Sequence, residues 1–146
     1  MTRIETILYG SPAYASSLRL REEVLRKPIG MVLRPQDTVD DENQIHVAAL
    51  DATGAVVGTA LLKPGVKAFK LRQMAVAGSL RGRGLGARLM RAAEAEARAA
   101  GAEEVFMVAR LAAEGFYARL GYSREGEIFI EVGLPSVIMR KRLPRD

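Results

Sequence analysis

Between Ala68 and Ala99 the hydrophobic pattern changes once, and the change falls on a turn crowded with glycine and arginine. AFKLRQMAV (68–76) reads as a strand, whereas Leu85, Leu89, Ala93 and Ala97 recur every four residues along one face of a helix. Between them lies LRGRGLGARLM (80–90), which holds three glycines and three arginines. Glycine loses more freedom on folding than any other residue, so this density implies a backbone that approaches something closely. A strand, a Gly/Arg turn and a helix in that order open a helix N-terminus beside a strand end. Unpaired N–H groups and the positive end of the helix dipole meet there, and Arg81 and Arg83 add charge. The segment reads as an anion site, fit for a diphosphate. The plainer alternative is an exposed turn whose glycines serve geometry alone.

Two familiar anions fit poorly. GRGLGA matches the loose dinucleotide pattern at Gly82, Gly84 and Ala87. Five residues, AGSLR, separate the strand end from the first glycine, whereas the dinucleotide loop follows its strand almost at once. The next strand ends near Arg110, where that pattern calls for an acidic residue. No G-x-x-x-x-G-K-[ST] loop occurs, so ATP recedes with NAD.

Composition narrows the chemistry further. The chain has 146 residues and no cysteine, which excludes disulfides, thiolate metal sites and an acyl-cysteine intermediate. His46 is the only histidine, too few for a histidine metal site or a Ser-His-Asp arrangement, and no calcium-type acidic loop appears. No metal is expected. The net charge of +5 gathers in RKRLPRD (140–146) and in 81–91, yet aromatics are only 5% and no nucleic-acid signature appears. Solvated tail charges are the expectation, with a nucleic-acid module the weaker reading and no nucleic-acid partner expected. MTRIETILYG lacks an apolar signal core and no apolar run reaches membrane length, so a cytoplasmic protein with no membrane association is expected.

The element order reads β-α-β-β-β-α-β-α-β-β, an α/β domain with a mixed sheet. RIETILY (3–9) opens it, and Ser11-Pro12 reads as an N-cap followed by proline at the first helical position. Tyr14, Leu18, Val24 and Leu25 form the apolar stripe of the following helix, with Arg19, Arg21, Glu22 and Glu23 mostly outside it. Lys27-Pro28-Ile29-Gly30 ends that helix. RPQDTVDDEN (34–43) reads as a polar, mobile loop. Asp51-Ala52-Thr53-Gly54 makes a hairpin turn. Glu94 and Arg98 are placed to pair one turn apart on the exposed side, and Gly101 to cap the helix. EEVFMVAR (103–110) is a buried strand, Ala112 to Leu120 a short helix stopped by Gly121, and EIFIEVG and SVIMRKRL the closing strands.

Two segments carry a family likeness. Arg81-Gly82-Arg83-Gly84-Leu85-Gly86 resembles the Gln/Arg-x-x-Gly-x-Gly/Ala signature of the GNAT superfamily of N-acetyltransferases. AAEGFYARLGY (112–122) resembles that family's A-x-x-[LF]-Y-x-x-x-G-[FY] segment at the customary distance. With LRQMAV and the late FIEVGLP, the pattern further resembles small bacterial members of the ElaA type. The resemblance implies one N-acetyltransferase domain over residues 1–146, with a mixed, mostly antiparallel sheet flanked by helices and splayed central strands. It implies acetyl-CoA as co-substrate, its diphosphate on Arg81, Gly82, Arg83, Gly84, Leu85, Gly86 and Ala87, and its pantetheine arm along Met74, Ala75 and Val76. A backbone N–H near Met74–Val76 would polarise the thioester carbonyl. An amine acceptor of unspecified kind follows, with homodimerisation as the family's common habit.

The same resemblance places the family's tyrosine at Tyr117, as general acid for the departing thiolate; packing beside Phe116 with a locally satisfied hydroxyl is the structural alternative. The strand carboxylate frequent in the family is replaced here by Lys70, Arg72 and Gln73. Glu131 is the best base in its place, with a solvated strand residue as the alternative and water as another route. His46 is placed either toward the acceptor cleft or simply in the core. Asp37, Asp40, Asp41 and Glu42 are candidates to attract a cationic amine, a solvated acidic loop being the plainer reading. Two further departures, Arg110 for a frequent asparagine and Ser136 for a frequent histidine, bear on the acceptor side. A non-catalytic acyl-CoA-binding domain of the same fold is the alternative to an enzyme.

Overall fold

The computed structural model describes residues 2–145. Seven strands form one sheet: β1 (Arg3–Ile7), β2 (Ile45–Leu50), β3 (Val56–Lys63), β4 (Ala68–Val76), β5 (Glu104–Arg110), β6 (Ser123–Glu131) and β7 (Leu134–Arg142). Their order is β1-β2-β3-β4-β5-β7-β6, and every neighbour is antiparallel except β4 with β5. The helices are α1 (Pro12–Arg21), α2 (Pro35–Thr38), α3 (Leu85–Ala99) and α4 (Glu114–Arg119). The expected α/β fold and its element order hold, with α2 added. Among the described residues no helix is long and apolar enough to cross a membrane.

Side-chain alternation gives the sheet two apolar faces. Val47, Ala49, Phe69, Leu71, Val105 and Met107 pack against Leu85, Leu89, Met90, Ala93 and Ala97 of α3. Ala48, Leu50 and Ala75 face the other way, toward Leu20 of α1 and the half-buried Val24 and Leu25. α3 lies so close to β3 that a Cβ on Gly58 would stand 2.6 Å from Leu89 Cδ1. Leu89 is fully buried and has nowhere to move. Gly58→Ala is therefore expected to lower stability by about 1–3 kcal/mol, read as a lower urea midpoint at unchanged m-value.

Local chemistry sets the element ends. Ser11 Oγ accepts from the Tyr14 N–H at 3.2 Å, the expected N-cap. Asp51 Oδ1 accepts from the N–H groups of Thr53 and Ala55, tightening the β2–β3 hairpin. At the end of α3 the Ala102 N–H reaches the Ala97 carbonyl around Gly101, a Schellman closure. Glu94, expected to pair with Arg98, has partners on other elements. It accepts from Tyr122 Oη at 2.8 Å and Lys141 Nζ at 2.9 Å, because its face of α3 overlooks β7.

The first helix also departs from expectation. After Arg21 it widens into a π-helical turn (Glu22–Arg26) and tightens into a 3₁₀ turn (Lys27–Ile29) that ends at left-handed Gly30. Arg21, expected outside the apolar stripe, is completely buried. Residues 34–43 are not a free loop, since they hold α2, a 3₁₀ turn (Asp41–Asn43), and the buried side chains of Asp37 and Asp41.

Candidate active site

The parallel pairing of β4 and β5 is short. Ala68, Phe69 and Lys70 pair with Glu104, Val105 and Phe106, and beyond them the two strands face each other without hydrogen bonds. The expected splay is present. Ala77 N–H donates to Val57 O at 2.8 Å, so by alternation Val76 turns its backbone groups away from β3 and into the gap. β4 also carries a bulge. Between the Thr59–Ala75 and Leu61–Arg72 pairs one residue of β3, Ala60, stands against two of β4, Gln73 and Met74, and Gln73 sits there at φ 54°. A left-handed glutamine is uncommon and needs support from its surroundings.

On one side of the gap lies a cleft of about 830 Å³. Met74, Ala75, Val76 and Arg81 line it, with the backbone of Gly82, Gly84, Leu85, Gly86 and Ala87. Arg83, the remaining residue expected at this anion site, is exposed and does not line the cleft. Gly82 and Gly84 have φ 77° and 78°, which L side chains resist, and Gly84 is the N-cap of α3. The N–H groups of residues 82–87 meet no acceptor among the described residues, and the first turn of α3 holds no carboxylate. Every charged side chain lining this cleft is an arginine: Arg81, Arg110 and Arg119. Orphan donors, a helix dipole and uncompensated guanidiniums fit a diphosphate.

On the other side lies a smaller cleft of about 380 Å³, lined by Lys70, Arg72, Gln73, Glu131, Val132 and Ser136 among others. Leu25, Met74, Arg110, Ala113 and Tyr117 line both, so the two clefts meet along these residues in one passage. Tyr117 is 7% exposed, packed edge-on against Phe116 and Tyr122 with centroids 5.0 Å and 5.9 Å away. Its hydroxyl makes no hydrogen bond to a described residue, against the alternative of local satisfaction. Burial pushes the phenol well above its ordinary range. Glu131 is exposed at the end of β6 and lines the cleft; its carbonyl accepts from Arg110 Nη1 at 3.2 Å, while its carboxylate forms no ion pair with a described residue.

His46 is not in the passage. It is 2% exposed, its Nε2 lies 2.8 Å from the Asp41 carbonyl, and Tyr14 packs edge-on to it. The acidic segment is likewise corrected as an amine trap. Asp41 binds Arg21 at 2.6 Å and Tyr14 Oη at 2.7 Å, Asp37 binds Arg26 at 2.7 Å, and Asp40 pairs with Lys63 at 3.2 Å. Glu42 is exposed and lines neither cleft. Arg21 continues the chain of contacts, donating from Nε to Gln73 Oε1 at 3.0 Å and from Nη2 to the Asp37 carbonyl at 2.9 Å. A buried ion pair thus grips the β4 bulge. The clue was present in spacing, since Arg21 lies seven residues from Tyr14, on the stripe itself. Both acceptor-side departures, Arg110 and Ser136, line the passage.

Comparison with known proteins agrees with this geometry. A family model described as an acetyltransferase (GNAT) domain matches residues 25–143. A Lactobacillus plantarum protein assigned to the N-acetyltransferases superposes with TM-score 0.85 at 26% identity, over 97% of this chain and 99% of that one. Escherichia coli ElaA superposes with TM-score 0.85 at 18% identity, over 97% of this chain and 100% of its own. A GNAT family acetyltransferase from Elizabethkingia anophelis with acetyl-CoA bound gives TM-score 0.73 at 15% identity, over 97% of this chain and 98% of that one.

Proposed function

The chain belongs to the GNAT acetyltransferase family, and from that premise we propose that it transfers acetyl from acetyl-CoA to an amine by direct attack in a ternary complex. The observation that carries this reading is the passage: a donor cleft with orphan N–H groups and an acceptor cleft that share Tyr117. When bound, acetyl-CoA supplies an activated acyl carbon on sulfur. Residues 82–87 and Arg81 hold its diphosphate, with Arg83 adding charge from outside the cleft. Met74, Ala75 and Val76 line the pantetheine path, and the Val76 N–H is a donor for the thioester carbonyl.

The amine nitrogen bonds to the acyl carbon and the carbon–sulfur bond breaks. The proton lost by nitrogen passes to Glu131 or water, and the thiolate takes a proton from the Tyr117 phenol. No cysteine exists to carry the acetyl group, which favours direct transfer over a two-step route. Release of free CoA on incubation with acetyl-CoA and an amine panel tests the proposal. One observation favours the alternative of a non-catalytic acyl-CoA-binding domain: β4 presents Lys70, Arg72 and Gln73 to the acceptor cleft and no carboxylate. Tight acetyl-CoA binding without CoA release from any amine would select it.

The donor-side assignment makes its own prediction. Arg81 is exposed, so its contribution is screened by solvent. Arg81→Ala is expected to weaken acetyl-CoA binding about three- to tenfold, with a shallower dependence of affinity on salt, both measurable by titration calorimetry.

A further inference from the structure

We infer that the acceptor is an amine that also carries an anionic group, a carboxylate or a phosphate, and that Lys70 and Arg72 hold that group. The inference rests on the acetyltransferase reading above. It begins from strand alternation: Phe69 and Leu71 enter the core under α3, which turns Lys70 and Arg72 to the opposite face, where both line the acceptor cleft half-buried. The charged groups lining that cleft are Arg26, Lys70, Arg72, Arg110 and the lone carboxylate Glu131. Arg26 is matched by Asp37 at 2.7 Å, and Arg110 gives one nitrogen to the Glu131 carbonyl.

Lys70 and Arg72 make no hydrogen bond or ion pair with any described residue. Arg72 acts on Asp40, a carboxylate already paired with Lys63 at 3.2 Å. Half-burying two cations without partners is costly, and a cleft with that character is complementary to an anion. A guanidinium and an ammonium lining one cleft from the same face of β4 are suited to the oxygens of a carboxylate or a phosphate.

The same charges act on the amine. A nearby cation disfavours the ammonium form and so promotes the neutral nitrogen that can attack. This accounts for an acceptor cleft with cations on β4 in place of a carboxylate base. A polycation would be repelled, and the acidic segment offers it nothing, since Asp37 and Asp41 are buried in ion pairs of their own.

Two matched probe pairs and one polycation decide the matter: β-alanine against β-alaninamide, O-phosphoethanolamine against ethanolamine, and spermidine. Binding to the full chain is read from amide chemical shifts without donor, and turnover from CoA release with acetyl-CoA. The member bearing the anionic group is expected, in at least one pair, to bind about tenfold or more tightly than the counterpart that lacks it, the scale of a charge-assisted hydrogen bond; which pair responds separates carboxylate from phosphate. The preference should collapse in a Lys70→Gln/Arg72→Gln variant that keeps its melting temperature and acetyl-CoA affinity. Equal or tighter binding of β-alaninamide, ethanolamine or spermidine, no binding of either member bearing the anionic group, or a preference that survives in the variant would each overturn it. Binding of an anionic amine without CoA release would leave this assignment standing and remove the acetyltransferase reading.

Discussion

Tyr117→Phe is expected to slow acetyl transfer by about 10²-fold or more while leaving acetyl-CoA affinity unchanged. The ring is retained, so its edge-on contacts with Phe116 and Tyr122 survive. The lost hydroxyl has no partner among the described residues, so stability should move by no more than about 0.5 kcal/mol. Burial raises the phenol's pKa, which keeps its proton in place throughout the neutral range and suits it to act as an acid. Loss of that proton should therefore contribute no falling limb to the kcat profile below about pH 10. Tyr14 and Tyr122 are raised as well, first by burial and then by Asp41 and Glu94 respectively. A phenol raised on folding stabilises the native state below its unfolded value near 10 and loses that contribution as pH climbs toward the folded value. Tyr122→Phe is the control, because it removes a hydroxyl bonded to Glu94 and leaves the passage unaltered. Unchanged turnover in Tyr117→Phe, with the chemical step limiting, would return the proton transfer to water.

The donor cleft was legible because its parts are consecutive. A strand end, glycines at positive φ and a helix N-cap occupy residues 74–87, and each has a local residue signature. The splay of β4 from β5 is a property of pairing and came only through family likeness. The acceptor cleft drew on residues spread from Leu25 to Ser136, with no local pattern to mark them. Charge was the least legible feature. Asp41 and Arg21 lie 20 positions apart and read singly as solvated, yet each extinguishes the other's charge in the interior. Lys70 and Arg72, which read as a missing base, acquire a meaning only when no carboxylate is found to meet them. Val132 illustrates the same limit, for nothing in EIFIEVG signals that this β-branched residue turns at φ 51° with Gly133 at φ 73°, closing the β6–β7 hairpin beside the cleft.

Arg21→Ala and Asp41→Ala are each expected to destabilise the fold by about 3–5 kcal/mol, because either leaves a charge in the interior without its partner. Both side chains are fully buried and separated by 2.6 Å. Such a loss is a large share of ordinary domain stability, so acetyl-CoA would be needed to hold the variants folded by mass action. An Arg21→Met/Asp41→Leu double variant removes both charges and should lose clearly less than the two single losses combined, by denaturant midpoint. It still breaks the bond from Arg21 Nε to Gln73 Oε1, which ties down the left-handed residue of the β4 bulge. Its turnover should therefore fall while its affinity for acetyl-CoA persists, since none of the pair's side-chain hydrogen bonds reaches residues 82–87. Asp37 supplies the acid limb of the same network. Burial alone would raise its carboxyl, but the Arg34 N–H and the Arg26 guanidinium outweigh burial and hold it below its ordinary value. Its contribution is complete above about pH 4 and is lost as pH falls through the folded value, so Asp37→Asn should flatten the acid side of the stability profile. A double variant as active as the parent would show that the bulge holds its shape unaided and that the buried pair serves the fold alone.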